Sequence, residues 1–236
     1  MFQPACSTPR RAPADLYSTT MLFDPTTLPV ADRYKLLIGG IIPRPIALVG
    51  TVAVDGATNL APFSFFAGLG SNPMTLLFCP ANKPDGSEKD KMRNCNPVDQ
   101  GCTGVFSVNI MNLRDIRRTV AAAEELPFGE SEFELTGLHH GACVKIPAPR
   151  VEEAGVCYEC KTIHILQTNP GAPSGGNVVV GEVLAVHVRD DAINERMHID
   201  PNVIDPAGRL GGMSYCSVHD RFELPMGRGA LSAPQK

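Results

Sequence analysis

The chain has no dense block of lysine and arginine, and its 21 basic residues are outnumbered by 25 acidic ones, for a formal net charge of −4. That balance speaks against a nucleic-acid partner, which requires a basic footprint. No apolar run approaches the roughly 20 residues that span a bilayer, so no membrane partner is expected either. The first twenty residues hold Arg10, Arg11 and several Ser/Thr residues but lack the apolar core of a secretory signal. Residues 1–22 are read as a tail that frays or clasps a partner, residues 225–236 as a second tail, and the cytoplasm as the expected location. No G-x-G-x-x-G follows any predicted strand, which argues against a doubly wound dinucleotide domain.

Cysteine is present, but not in a metal-binding pattern. Of the eight, at positions 6, 79, 95, 102, 143, 157, 160 and 216, only Cys157 and Cys160 form a C-x-x-C, and no second pair completes a zinc set. The pair falls in VCYECKTIHILQ, which alternates like a strand, so its two side chains should point to opposite faces. No metal is expected, and the cysteines are read as buried or half-buried free thiols in a reducing compartment.

What the chain does have is enough length for a full core and a series of strand signals. Helical spacing of Ala31, Tyr34, Leu37 and Ile38 predicts a helix over 29–39, stopped by Gly39-Gly40. Strands are predicted over 74–78, 105–110, 156–167 and 178–188, with helices starting near Glu88 and over 113–123. Loops are predicted over 80–87 and 168–177. Pro43–Phe66 reads PRPIALVGTVAVDGATNLAPFSFF, a hairpin turning at Asp55-Gly56. Pro62 in its return arm should break the ladder and free backbone N–H groups around Asn59, Leu60 and Ala61, close to the hydroxyl of Ser64. Alternation puts Phe63 and Phe65 on one face of that arm, and Ser64 and Phe66 on the other. Free donors beside an aromatic wall suit a planar ligand carrying a phosphate. Lys89, Lys91 and Arg93 supply positive charge near a helix start, or else form a solvated helix face. Arg44, held between two prolines, is aimed at little entropic cost. It is placed to meet a phosphate, a ring carbonyl or a protein carboxylate.

PRPIALV at 43–49, NLAPFSFF at 59–66, SNPM at 71–74, KDKMRN at 89–94, FSVNI at 106–110, Glu159-Cys160, GEVLAVHVRD at 181–190 and PAGRLGGMSY at 206–215 occur in one order. Together they resemble the flavin reductase-like family over roughly residues 24–215. The resemblance implies a mainly β fold with helical elaborations, an FMN-binding split β-barrel spanning 23–224, and a homodimer with flavin at the subunit interface. It implies an FMN-dependent oxidoreductase reduced by NADH or NADPH. Electrons would pass to free flavin, to a monooxygenase partner or to an organic substrate. A flavin-binding protein without turnover is the rival reading. The implied FMN contacts are Arg44, Pro45, Ile46 and Ala47, the run Asn59, Leu60, Ala61, Pro62, Phe63, Ser64, Phe65 and Phe66, and Lys89, Asp90 and Lys91. Lys91 stands where the family usually has a hydroxyl residue. His187 on the strand GEVLAVHVRD is the implied catalytic hydrogen-bond donor, and Arg209 and Tyr215 the implied substrate contacts.

Overall fold

Gly56 at the hairpin tip adopts φ +89°, a conformation that glycine enters without a Cβ penalty, and Asp55 Oδ1 accepts the N–H of Ala57 at 3.0 Å. The arms are β1 (Ala47–Val52) and β2 (Thr58–Phe63), paired antiparallel from Val52↔Thr58 to Ala47↔Phe63. In this computed structural model, which describes residues 20–126 and 130–233 apart from the side chains of Asp90 and Lys91, five further strands extend the hairpin. They are β3 (Phe66–Ser71), β4 (Met74–Phe78), β5 (Val105–Ile110), β8 (Val156–Gln167) and β9 (Asn177–Val188). All pair antiparallel, in the order β2-β1-β5-β8-β9-β4-β3.

The two edge strands, β2 and β3, are joined by only Ser64 and Phe65. Edges that share a two-residue corner lie next to each other in space, so the sheet curls into a split barrel. Side chains from alternate positions fill it: Ala47 and Val49 of β1, Phe78 of β4, Phe106 and Val108 of β5, Cys160 of β8 and Val179 of β9. Phe78 packs on Phe63 at 5.0 Å and edge-on to Phe106 at 5.1 Å between ring centroids. Gly181 is the close-approach point: a Cβ there would lie 2.4 Å from Cζ of Phe106. Leu48 and Leu60 face outward, where α3 (Ile116–Ala121), α4 (Glu132–Thr136) and the short pair β6 (His140–Gly141) and β7 (Arg150–Val151) lead. There they pack with Ala122, Phe133, Leu138 and Val151.

The helix expected over 29–39 is α1 (Val30–Gly40), the one expected from Glu88 is α2 (Asp90–Asn94), and α5 (Pro201–Ile204) precedes a small ladder of β10 (Gly208–Arg209) and β11 (Tyr215–Cys216). Asp200 caps α5, accepting the N–H of Asn202 at 2.8 Å. The expected N-terminal tail lies mostly outside the described residues. Among the described residues no helix is long and apolar enough to cross a membrane.

Two local expectations are corrected. Pro62 does not break the ladder, because β2 is an edge strand and position 62 has the same parity as Leu60, whose N–H turns away from β1 to Glu132 Oε2 at 3.0 Å. A proline is tolerated where its missing donor would face outward. The alternation of the phenylalanines also fails at the corner: Phe63 and Phe66 both pack against the barrel interior, since the chain changes strand between them.

Candidate functional site

A cavity of about 850 Å³ opens beside the β1–β2 hairpin. One part of its wall is the outer arm of that hairpin, with Asn59, Ala61, Pro62 and Phe63. A second part is the segment leading into and through α2, with Lys83, Lys89, Arg93 and Asn94. A third is the connection between α3 and α4, with Glu124, Glu125, Glu130 and the buried Glu132. Lys89 and Arg93 are one helical turn apart, and the N–H of Arg93 donates to the carbonyl of Lys89 at 3.0 Å. Asn94 reaches β1, donating to Thr51 Oγ1 at 3.1 Å, which ties the cationic segment to the barrel. The cavity therefore sets an apolar strand surface ending in Phe63 beside clustered positive charge.

Several of the expected contacts do not line this cavity. Leu60 is buried on the outer face of the sheet, and the donors expected at 59–61 are not free: Leu60 N–H is taken by Glu132, and Asn59 and Ala61 alternate with it toward β1. Ser64 accepts from Nε of Arg44 at 3.2 Å, Phe65 lies under that guanidinium at 5.6 Å, and neither lines the cavity. Phe66 and Ala47 pack in the interior, Pro45 is exposed and Ile46 half-buried. Asp90 and Lys91 open α2, and their side chains lie outside the described residues.

Arg44 itself is 3% exposed and donates to the carbonyls of Ile38 at 2.7 Å, Ile41 at 2.6 Å and Leu210 at 3.0 Å. The first two lie at the C-terminal end of α1, where helical carbonyls lack intrahelical partners. Its backbone pairs with that of Arg209 in both directions, at 2.9 and 2.8 Å. Arg209 stacks on the Tyr215 ring at 4.4 Å and hydrogen-bonds the Tyr215 hydroxyl and the carbonyl of Gly212, the latter at 2.6 Å. Arg44, Ser64, Phe65, Arg209 and Tyr215 thus form one cluster apart from the cavity lining, with the guanidinium as a clamp.

His187 is also brought to a different place. It lies opposite Cys157 on β8, on the outer face, and its Nε2 is 2.5 Å from Oε1 of Glu159. An ionised carboxylate only accepts, so Nε2 carries the hydrogen. Glu159 is fully buried and also accepts the N–H groups of Val144 at 2.8 Å and Lys145 at 2.6 Å. Burial pushes its carboxyl upward, but the hydrogen bonds from His187, Val144 and Lys145 outweigh this and hold it below its ordinary value. On the same strand Cys160 points inward and Cys157 outward. A hydrogen bond with Cys143, together with burial, raises the Cys157 thiol, and burial raises Cys160.

Sequence reasoning did not single out Lys83, Asn94 or the glutamates of the α3–α4 connection as site residues. The spacing of Lys89 and Arg93 was a usable signal for Arg93, whereas the glutamates reach the cavity only through tertiary packing.

Comparison with known proteins fits this picture. The family model described as "Flavin reductase like domain" matches residues 39–203. An uncharacterised protein of Deinococcus radiodurans is 34% identical over 210 residues, 86% of this chain and 88% of that one. Among solved structures, nitrilotriacetate monooxygenase component B from Bacillus cereus superposes with a TM-score of 0.79 at 31% identity, covering 88% of this chain and all of its own. The 2-nitrobenzoate 2-nitroreductase NbaA of Pseudomonas fluorescens does so with 0.76 at 28% identity, covering 88% and 97%.

Proposed function

From the premise that this chain belongs to the flavin reductase-like domain family, we propose that it is an FMN-binding oxidoreductase, an NAD(P)H-dependent flavin reductase acting as a homodimer. The observation that carries the reading is the cavity in which Ala61, Pro62 and Phe63 stand beside Lys83, Lys89 and Arg93. That donor set fits FMN. The dianionic phosphate suits the cations, by charge-assisted hydrogen bonds, and the flat ring suits the apolar strand surface. When bound, the flavin supplies the two-electron redox chemistry. The chain's own residues bind the phosphate, orient the ring along β2 and limit water at its face. Glu132 keeps β2 in place by accepting the outward N–H of Leu60.

The dimer is supported by α1 and the two residues after it, where only Ile38 is buried while Val30, Tyr34 and Leu37 of the helix and Ile41 and Ile42 beyond it are all about half exposed. A second copy of the chain covers that face in this reading. The likeness to a monooxygenase component supports a monooxygenase partner or free flavin as the acceptor. The likeness to a nitroreductase supports a second reading, direct reduction of a small organic substrate at the same cavity.

The test is an absorbance spectrum of the purified protein, followed by anaerobic addition of NADH or NADPH. A flavin spectrum that bleaches is the expected result. A protein that neither carries nor takes up FMN refutes the proposal, and one whose flavin resists both nucleotides is a carrier. Lys89→Ala should raise the FMN dissociation constant about tenfold, the scale of one hydrogen bond to a charged group. A fluorescence titration reads this directly, and an unchanged constant removes Lys89 from the phosphate site.

A further inference from the structure

We infer that Gln167 is a positioning residue for the phosphate end of the flavin site, holding Lys89 in place through Glu88. This rests on the FMN reading of the cavity. The described cations of the lining, Lys83, Lys89 and Arg93, sit on one segment, and each stands next to a point where that segment is tied to the barrel. Asn82, just before Lys83, is buried; its Oδ1 accepts from Nδ2 of the buried Asn177 at 2.9 Å, and its own Nδ2 donates to the carbonyl of Ala172 at 3.0 Å. Glu88, just before Lys89, accepts at Oε1 from Nε2 of Gln167 at 2.8 Å. Asn94, just after Arg93, donates to Thr51 of β1. Asn82, Glu88, Gln167 and Asn177 do not themselves line the cavity, so they act on a ligand only through the cations beside them.

Gln167 is the last residue of β8 and pairs with Asn177, the first of β9, so one end of that strand pair supplies two of the three ties. The tie at Asn82 is reinforced by the backbone: Asn82 N–H donates to the carbonyl of Gly175 at 2.9 Å, and Asn177 N–H to that of Pro80 at 3.0 Å. The tie at Glu88 rests on side chains. The other oxygen of this half-buried carboxylate is 3.5 Å from Nδ2 of Asn96, so the short bond is the one from Gln167. Fixing the residue before Lys89 lowers the ordering cost that phosphate binding would otherwise carry. It also keeps a carboxylate turned from the cavity, since a released Glu88 competes with the phosphate for Lys89.

Fluorescence titration with FMN and with riboflavin, which lacks the phosphate, tests this on wild type, Gln167→Ala, Glu88→Ala and the double variant. Gln167→Ala should raise the FMN dissociation constant about fivefold, part of what one hydrogen bond to a charged group supplies, and leave that of riboflavin within about twofold. In the Glu88→Ala background the same substitution should change FMN affinity by less than about twofold, because its partner is already gone. Equal weakening of both flavins makes Gln167 merely structural. An unchanged FMN constant removes it from the site, and a full effect in the Glu88→Ala background means that it does not act through Glu88. Each of these overturns the inference. Gln167 is half-buried at a strand end, where alanine keeps the backbone pairing, and a thermal melt verifies the fold. A wild type that binds neither flavin, or both equally, refutes the phosphate reading of the cavity itself, and the inference falls with it.

Discussion

Arg44→Ala will destabilise the protein by roughly 2–3 kcal/mol, because the buried carbonyl of Ile38 and the half-buried ones of Ile41 and Leu210 lose their donor, at about 1 kcal/mol each. The guanidinium spans three parts of the chain: the end of α1 through Ile38 and Ile41, the 209–212 turn through Leu210, and the β2–β3 corner through Ser64. Losing it should loosen all three together. Arg44→Lys should recover only part of the loss, since an ammonium cannot reproduce a planar fork aimed at four acceptors. Urea unfolding followed by circular dichroism measures the cost. The flavin dissociation constant, taken where both variants are folded, should move by less than about threefold, or 0.7 kcal/mol. The opposite pattern, unchanged stability with flavin affinity lost, would return Arg44 to the flavin.

The placement of Arg44 shows where a sequence stops being informative. Two flanking prolines correctly marked Arg44 as a held side chain, but one of its acceptors, Leu210, is 166 residues away. No local pattern encodes such a partner. The β-strands that line the barrel were legible because alternation and the Asp-Gly turn are local: β4, β5 and β8 have the limits their apolar runs predict. Strand β3 was not legible. FAGLGS has two glycines and one exposed leucine, so it carries no period-two signal, and it is a strand because β4 templates it. Pro62 misled for a related reason. Whether a proline breaks a ladder depends on whether its strand is an edge, which is a property of the finished sheet and not of the segment.

The candidate site divides along the same line. Lys89 and the Asn59–Phe63 arm were readable, since each is a short segment with its own chemistry. Their meeting in one cavity rests on contacts such as Asn94 to Thr51, 43 residues apart. The acidic part of the lining was invisible because Glu124, Glu125 and Glu130 look like any solvated connection until α4 packs against β2. His187 was readable as a polar residue on an apolar strand, but its partner Glu159 was not, because a lone glutamate in a strand gives no sign of being fully buried.

Glu159 carries the second large expected effect. Glu159→Ala should destabilise the protein by roughly 2–4 kcal/mol, because three donors lose one common acceptor at about 1 kcal/mol each and the truncated side chain leaves a void. It leaves the N–H groups of Val144 and Lys145 and the ring of His187 without their common acceptor. Glu159→Gln tests whether the charge matters apart from the shape. One amide oxygen replaces two carboxylate oxygens, and the amide NH2 is set against a donor, so this variant should lose roughly 1–3 kcal/mol near neutral pH. The pH dependence separates the two contributions. Since the folded carboxyl lies below its ordinary value, the unfolded chain takes up this proton first as acid is added, and stability falls with falling pH over that interval. The contribution is fully present above about pH 4.3, where an unfolded glutamate titrates, and is lost as pH drops through the lower folded value. Urea midpoints of wild type and Glu159→Gln should therefore lie well apart at pH 7 and 5 and converge below pH 4. A gap that stays constant into acid would mean that Glu159 is neutral in the native protein, and that the network around His187 is held by shape alone.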